Sequence, residues 1–185
     1  IDLVDIATPG DTHAEIAIAA LAAGKHVLCE KPLANTVAEA EAMADAAAAA
    51  AERGVFAMVG FTYRRVPAIA LAARPVAEGR IGPIRQARAR YLPDWLADPS
   101  SGWTWRMDAA KAGSGALGDI GAHIIDAVQF VTGQQLMGVS GILDTFTSRR
   151  TDASGVERDV TVDDAAIFHG RLSSGAPAAF EASRV

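Results

Sequence analysis

Two groups of residues in this 185-residue chain have the types and spacing to handle protons. The first is Val27-Leu28-Cys29 followed at once by Glu30-Lys31-Pro32. A short apolar run that stops abruptly reads as a strand of a buried parallel sheet, and the carboxyl ends of such strands are where open α/β folds bind ligands. A lysine there is partly desolvated, which suits it to proton handling. The alternative is a surface turn with a solvated Glu–Lys pair. The second group is Asp119, His123 and Asp126, which on a helix fall within about 60° of one another. An aspartate one turn before a histidine can orient the ring and favour its protonated form, an arrangement that suits a general base. The alternative is an Asp–His pair on a surface helix. A carboxylate and an imidazole four residues apart could also ligate an ion, but no further His/Cys cluster of ligand spacing accompanies them, so no metal site is expected. His13 and His169 stand alone, and each by itself reads as structural.

The elements that must hold these groups alternate regularly at first. Strand Ile1–Ala7 leads through Thr8-Pro9-Gly10-Asp11 into a helix at about Thr12–Ala23, capped by Asp11 or Thr12 and ended by Gly24. Strand His26–Cys29 follows, then a helix at about Thr36–Arg53 capped by Asn35 or Thr36, then strand Val55–Gly60. Strand–helix repetition with short loops means parallel βαβ units. A helix from Pro67 to about Glu78 carries its proline in the first turn. Beyond Gly82-Pro83 the style changes. Ile84–Leu92 alternates apolar and polar residues as a half-buried strand does. Pro93–Gly113 is irregular, a helix spans about Ala116–Thr132, and strands are expected at Met137–Phe146, Asp164–Leu172 and Ala178–Val185. Ser173–Pro177 reads as a hairpin-like turn and Thr147–Val162 as a polar loop. A parallel part is thus followed by an antiparallel part, with the boundary near Phe61. A chain that begins and ends inside strands reads as a piece of a longer one.

Half of the residues are hydrophobic and the formal net charge is -5, enough for a real core in one large domain or two small ones. Mild acidity without a basic stripe or tail argues against nucleic acid as a partner, and no apolar run approaches a membrane span. The single cysteine, Cys29, excludes an intrachain disulfide framework, fits a reducing compartment and reads as a small buried residue. Gly113-Ser114-Gly115-Ala116-Leu117-Gly118 matches the dinucleotide pattern G-x-G-x-x-G and opens a helix. Arg106–Ala112 before it carries three charges, however, and cannot be the buried strand that pattern requires. These glycines read instead as close backbone approach beside a cleft. Trp95, Trp103 and Trp105 suit stacking on a sugar or nicotinamide face, or the core of a small domain. Arg64 reads as half of a salt bridge, with anion binding as the alternative.

Four segments then stand in a common order: Ala7-Thr8-Pro9 with His13; Gly24-Lys25-His26-Val27 with Glu30-Lys31-Pro32; Gly60-Phe61 with Arg64 and Pro67; and Gly115-Ala116-Leu117-Gly118-Asp119-Ile120-Gly121 with His123 and Asp126. In these segments, and from Ile1 to Val185, the chain resembles the Gfo/Idh/MocA family of dinucleotide-dependent oxidoreductases over roughly half of a family member. Tyr91–Gly133 looks most like the family's sugar dehydrogenases and less like its inositol dehydrogenases. The resemblance implies an α/β part, residues 1–61, that is the C-terminal half of a Rossmann parallel sheet without its phosphate loop. It implies an α+β part, residues 62–185, with an open, mostly antiparallel sheet and a flanking catalytic helix. By the same resemblance Lys31, Asp119 and His123 are catalytic, and Thr8, Pro9, His13, Glu30, Lys31, Trp105 and Arg106 line the cofactor cleft. Also implied are a cis Lys31–Pro32 bond, NAD or NADP as cofactor without a readable preference, and a sugar or cyclic polyol substrate. The full-length protein is expected to be a cytoplasmic homo-oligomer, and the 185-residue chain by itself a poor binder of dinucleotide. The alternative function on the same fold is a non-catalytic sugar- or dinucleotide-sensing regulator.

Overall fold

In a computed structural model, which describes residues 1–185, the early alternation forms a three-stranded parallel sheet. Strands β1 (Leu3–Ile6), β2 (His26–Cys29) and β3 (Ala57–Val59) lie side by side in that order, with Val4 opposite Val27 and Val27 opposite Ala57. Helices α1 (His13–Ala22) and α2 (Val37–Ala51) are rich in alanine, the best helix former. They bury Ala17, Leu21, Met43 and Ala50 against Ile6, Val27 and Cys29. Of the two candidate caps for α2, Thr36 is the one used. Its hydroxyl accepts from the Glu39 N–H (3.2 Å) while the Glu39 carboxylate accepts from the Thr36 N–H (3.0 Å). The Lys31–Pro32 bond is cis.

A 3₁₀ turn at Thr62–Arg65 leads to α3 (Pro67–Ala77), with Pro67 at its start. The irregular stretch after β4 (Ala87–Tyr91) contains a 3₁₀ turn at Trp105–Met107 and the short α4 (Ala109–Ala112), so a helical turn and not a strand lies directly before Gly113. Further on come α5 (Ala122–Thr132), β5 (Leu136–Asp144), β6 (Arg149–Thr151), β7 (Glu157–Asp159), β8 (Ala165–Leu172) and β9 (Pro177–Ser183). Four strands make a sheet in the order β4-β9-β8-β5, antiparallel except where β4 runs parallel to β9. One face is closed by Ala116, Ile120 and Ile124 packing on Ala166, Phe168, Phe180 and Ala182, with the two phenylalanine rings stacked 4.8 Å apart. The other face exposes Ile142 and Ile167, which are paired across β5 and β8.

Two expectations need correction. Thr147–Val162 is not simply a loop, because it holds the hairpin β6–β7. Ion pairs of Arg149 with Glu157 (2.9 Å) and Asp159 (3.2 Å) tie its strands, and Val160 and Val162 join Met107 in a small third core. The helix expected from Ala116 begins as a π turn, Leu117–Gly121, before α5. Asp163 holds that start from outside: its carboxylate accepts from the N–H groups of Gly115 and Leu117 (2.7 Å each), and its carbonyl accepts from Ala116 (2.9 Å).

Candidate active site

A cavity of about 230 Å³ opens at the carboxyl ends of β1 and β2. Thr8 and Pro9 follow β1, Glu30 and Lys31 follow β2, and Trp105, Arg106, Gly118 and Asp119 face them from the other half of the chain. All seven residues expected around the cofactor line this one cavity: the ends of β1 and β2 bring Thr8, Pro9, Glu30 and Lys31 to it, and the 3₁₀ turn Trp105–Met107 brings Trp105 and Arg106. His13 holds the wall from behind. Its ring is buried, with Nδ1 3.1 Å from the Pro32 carbonyl and Nε2 2.9 Å from the Thr8 carbonyl, so it braces the two turns and leaves no nitrogen free for a ligand. The tryptophans divide: Trp103 donates its indole N–H to the Asp159 carbonyl (3.0 Å) and packs beside Met107, while Trp105 lines the cavity with the Arg106 guanidinium 4.6 Å from its ring centre.

Lys31 and Asp119 meet directly. The ammonium Nζ donates to the Asp119 carbonyl (2.6 Å) and to its carboxylate (3.1 Å), joining the strand end to the π turn. The carboxylate of Asp119 thus goes to Lys31, and no hydrogen bond joins it to His123. A π turn inserts a residue into the helical period, so positions four apart no longer stack as in an α-helix, and a charged donor is the stronger partner. His123 is instead stacked on the Tyr63 ring, with centroids 4.4 Å apart and planes at 18°. Its Nδ1 is shut away from solvent without a hydrogen-bond partner, and His123 itself is not among the residues that line the cavity, so of its two nitrogens only Nε2 can meet a ligand there. Burial pushes the pKa of His123 down, the Lys31 ammonium adds to this, and Asp119 opposes it. The ring is therefore neutral near pH 7 and able to accept a proton.

Tyr63 was not singled out by its sequence context, although it lies between Phe61 and Arg64. Its hydroxyl is 2.8 Å from that of Tyr91, and this hydrogen bond, followed by burial, raises its pKa to about 12. Asp126, the third member of the polar stripe, is buried away from the cavity. Arg64 Nε donates to Asp126 Oδ2 at 2.9 Å and Nη2 donates to Oδ1, the salt-bridge role expected of Arg64. No local motif marks Asp163 or Arg184, because the partners that Asp163 holds, Gly115 and Leu117, lie 48 and 46 residues away in the chain. No group of three or more His, Cys, Asp or Glu side chains is arranged to hold a metal ion. No helix is long and apolar enough to cross a membrane.

Residues 1–61 match the profile of the oxidoreductase family with an NAD-binding Rossmann fold, and residues 69–185 match that of the GFO/IDH/MocA C-terminal domain. Levoglucosan dehydrogenase of Pseudarthrobacter phenanthrenivorans is 45% identical over 197 residues, covering 100% of this chain and 50% of that protein. The crystal structure of an oxidoreductase domain protein from Kribbella flavida superposes with a TM-score of 0.97 at 64% identity, over 100% of this chain and 48% of that one. A levoglucosan dehydrogenase in complex with NADH and levoglucosan gives a TM-score of 0.91 at 46% identity, again over 100% of this chain and 48% of that one. The chain spans about half the length of the curated relatives it matches.

Proposed function

From the premise that the chain belongs to the Gfo/Idh/MocA oxidoreductase family, we propose that the full-length protein is an NAD- or NADP-dependent dehydrogenase acting on a secondary alcohol of a sugar or cyclic polyol. The observation that carries this is the Lys31–Asp119 contact, which brings an ammonium at the end of a parallel strand onto the helix that bears His123. The cavity suits the reactive end of a dinucleotide. It combines a flat indole, a guanidinium and Lys31, and its volume of about 230 Å³ matches part of such a molecule rather than the whole. When bound, the nicotinamide supplies the acceptor or donor of hydride. Residues 1–61 are read as the dinucleotide-binding part and 62–185 as the substrate part.

In this mechanism Nε2 of His123 takes the proton of the substrate hydroxyl. Lys31 has a third N–H beyond the two directed at Asp119, and donates it to the same oxygen as negative charge develops there. Asp119 holds the ammonium in place. Thr8, Pro9, Glu30, Trp105 and Arg106 shape the cofactor's wall, and His13 supports it. The sugar class is favoured by the levoglucosan dehydrogenase likeness. We further propose a homo-oligomer in the cytoplasm, in keeping with the exposed Ile142 and Ile167 and the unpaired Cys29.

The test is reduction of NAD+ and NADP+ by the full-length protein across a panel of sugars and polyols, with His123→Ala and Lys31→Ala alongside. Each substitution is expected to lower kcat by at least about 100-fold. Turnover of both variants within about threefold of wild type would sink the assignment, and tight sugar binding with no reduction of either cofactor would favour sensing.

A further inference from the structure

Arg184, one residue beyond β9, lines the same cavity as Lys31 and Asp119, yet the chemistry above gives it no part. Its side chain is only 3% exposed. A guanidinium so buried is unfavourable unless it is bonded, so the location of its bonds is informative. The nearest carboxylate oxygen, Asp164 Oδ1, is 3.8 Å away, beyond hydrogen-bond reach, and Nε has no partner. What the guanidinium does grip is backbone: Nη2 donates to the Asp163 carbonyl at 2.9 Å. The main chain of Arg184 is fixed as well, donating to the Asp164 carbonyl (3.0 Å) and accepting from the Leu96 N–H (2.7 Å).

Asp163 is the residue that holds the start of the catalytic helix, through the N–H groups of Gly115, Ala116 and Leu117. Asp119 in turn donates its N–H to the Gly115 carbonyl (2.9 Å). The packing leaves no slack: a Cβ at Gly115 would run into the Asp163 carbonyl and stand 2.8 Å from Arg184 Nη2. A continuous chain of short contacts therefore leads from Arg184 through Asp163 and Gly115 to Asp119 and Lys31.

We propose that Arg184 is a positioning residue of the dehydrogenase reaction, holding through Asp163 the turn from which Asp119 meets Lys31. This rests on the dehydrogenase function proposed above. Asp119 is also the foremost charge favouring the charged form of Arg184 against its burial, so the two are coupled electrostatically as well as through the backbone.

The experiment is a mutant cycle in the full-length protein with Arg184→Met, Arg184→Lys, Asp119→Asn and the two double variants. Kinetics are measured alongside thermal melting. A misplacement of the order of an ångström lowers kcat by up to about 100-fold. Arg184→Met is expected to lose about that much, with the KM for cofactor held within about threefold. Arg184→Lys, which retains a donor for the Asp163 carbonyl, should recover part of the loss. In the Asp119→Asn background either substitution should cost several-fold less than in wild type, because the carboxylate it positions is already gone and only the backbone carbonyl contact to Lys31 is left to hold. If Arg184→Met does not fold, Arg184→Lys decides, with a smaller loss of kcat that again shrinks without Asp119. Losses that are equal with and without Asp119, or an unchanged kcat in a folded variant, overturn the proposal. A wild-type protein that reduces neither cofactor with any polyol overturns the dehydrogenase function, and this inference falls with it. An active wild type with an additive cycle overturns this inference alone.

Discussion

His123 is kept uncharged first by burial and then by the ammonium of Lys31, against the weaker pull of Asp119, Glu30 and Asp126. Removing one neighbour or the other should move the titration of His123 in opposite directions. Lys31→Met takes away a cation, so the acidic limb of the residual kcat/KM profile, or the imidazole titration followed by NMR, is expected to move to higher pH. Asp119→Asn takes away an anion and should move it lower. Shifts of the same sign would show that these residues do not act on His123 through charge. Because the folded pKa lies below the unfolded value near 6.5, His123 adds stability that is present above that value and lost as pH falls through the folded one. Cys29 has the opposite sign. Burial, then Glu30 and Asp5, raise its pKa to about 11, so its contribution is full below the ordinary thiol range and is lost as pH rises toward 11. At pH 8, iodoacetamide should label Cys29 only after unfolding in guanidinium chloride. Labelling of the native protein at the rate of a free thiol would contradict this.

Among the elements, the turn that leads into α5 is tightly packed at Gly115. Gly115→Ala would place a methyl against the Asp163 carbonyl, a backbone atom that cannot rotate away. Overpacking of this kind costs about 1–3 kcal/mol, and we expect a lower urea midpoint together with lost turnover, since the turn carrying Asp119 must shift. A midpoint and kcat like wild type would show that the turn is free to adjust. This close approach beside the cleft was legible in the glycine spacing, as were the βαβ alternation and the strand end carrying Lys31. The π turn was not, because Asp163, 46 residues after Leu117, imposes it from outside the helix. The β6–β7 hairpin was hidden for a related reason: it is held by Arg149, Glu157 and Asp159, and by Arg150 donating to the carbonyls of Leu96, Asp98 and Ser101. Hydrophobic periodicity is blind to polar pairing. The parallel register of β4 with β9 likewise joins residues 91 positions apart, Ala87 and Ala178, which no local pattern reports.

Across the whole molecule, the two main cores stay separate. One is built from residues up to Val55 and the other from Ile84 onward. The halves are joined by polar links: Lys31 to Asp119, Lys111 to Asp11 at 2.9 Å, Asn35 to the Lys111 carbonyl at 3.0 Å, and, beside the junction, Arg64 to Asp126. These links differ in how far water screens them. Lys111 is more than half exposed, so its pair with Asp11 should fade with added salt. Asp126 is 5% exposed and Arg64 48%, which makes their pair asymmetric: losing the arginine strands a buried carboxylate, whereas losing both charges leaves a neutral amide and no buried charge. Arg64→Met is therefore expected to destabilise the full-length protein by about 2 kcal/mol, below the range for a fully buried pair because Arg64 is partly solvated. Arg64→Met combined with Asp126→Asn should recover much of that loss, because the amide needs no counter-charge. Chemical denaturation of the three proteins decides it. A double variant as unstable as Arg64→Met alone would mean that Arg64 acts by packing over Phe61 and Phe130, whose ring centres lie 5.6 and 5.7 Å from its guanidinium carbon, rather than by neutralising Asp126.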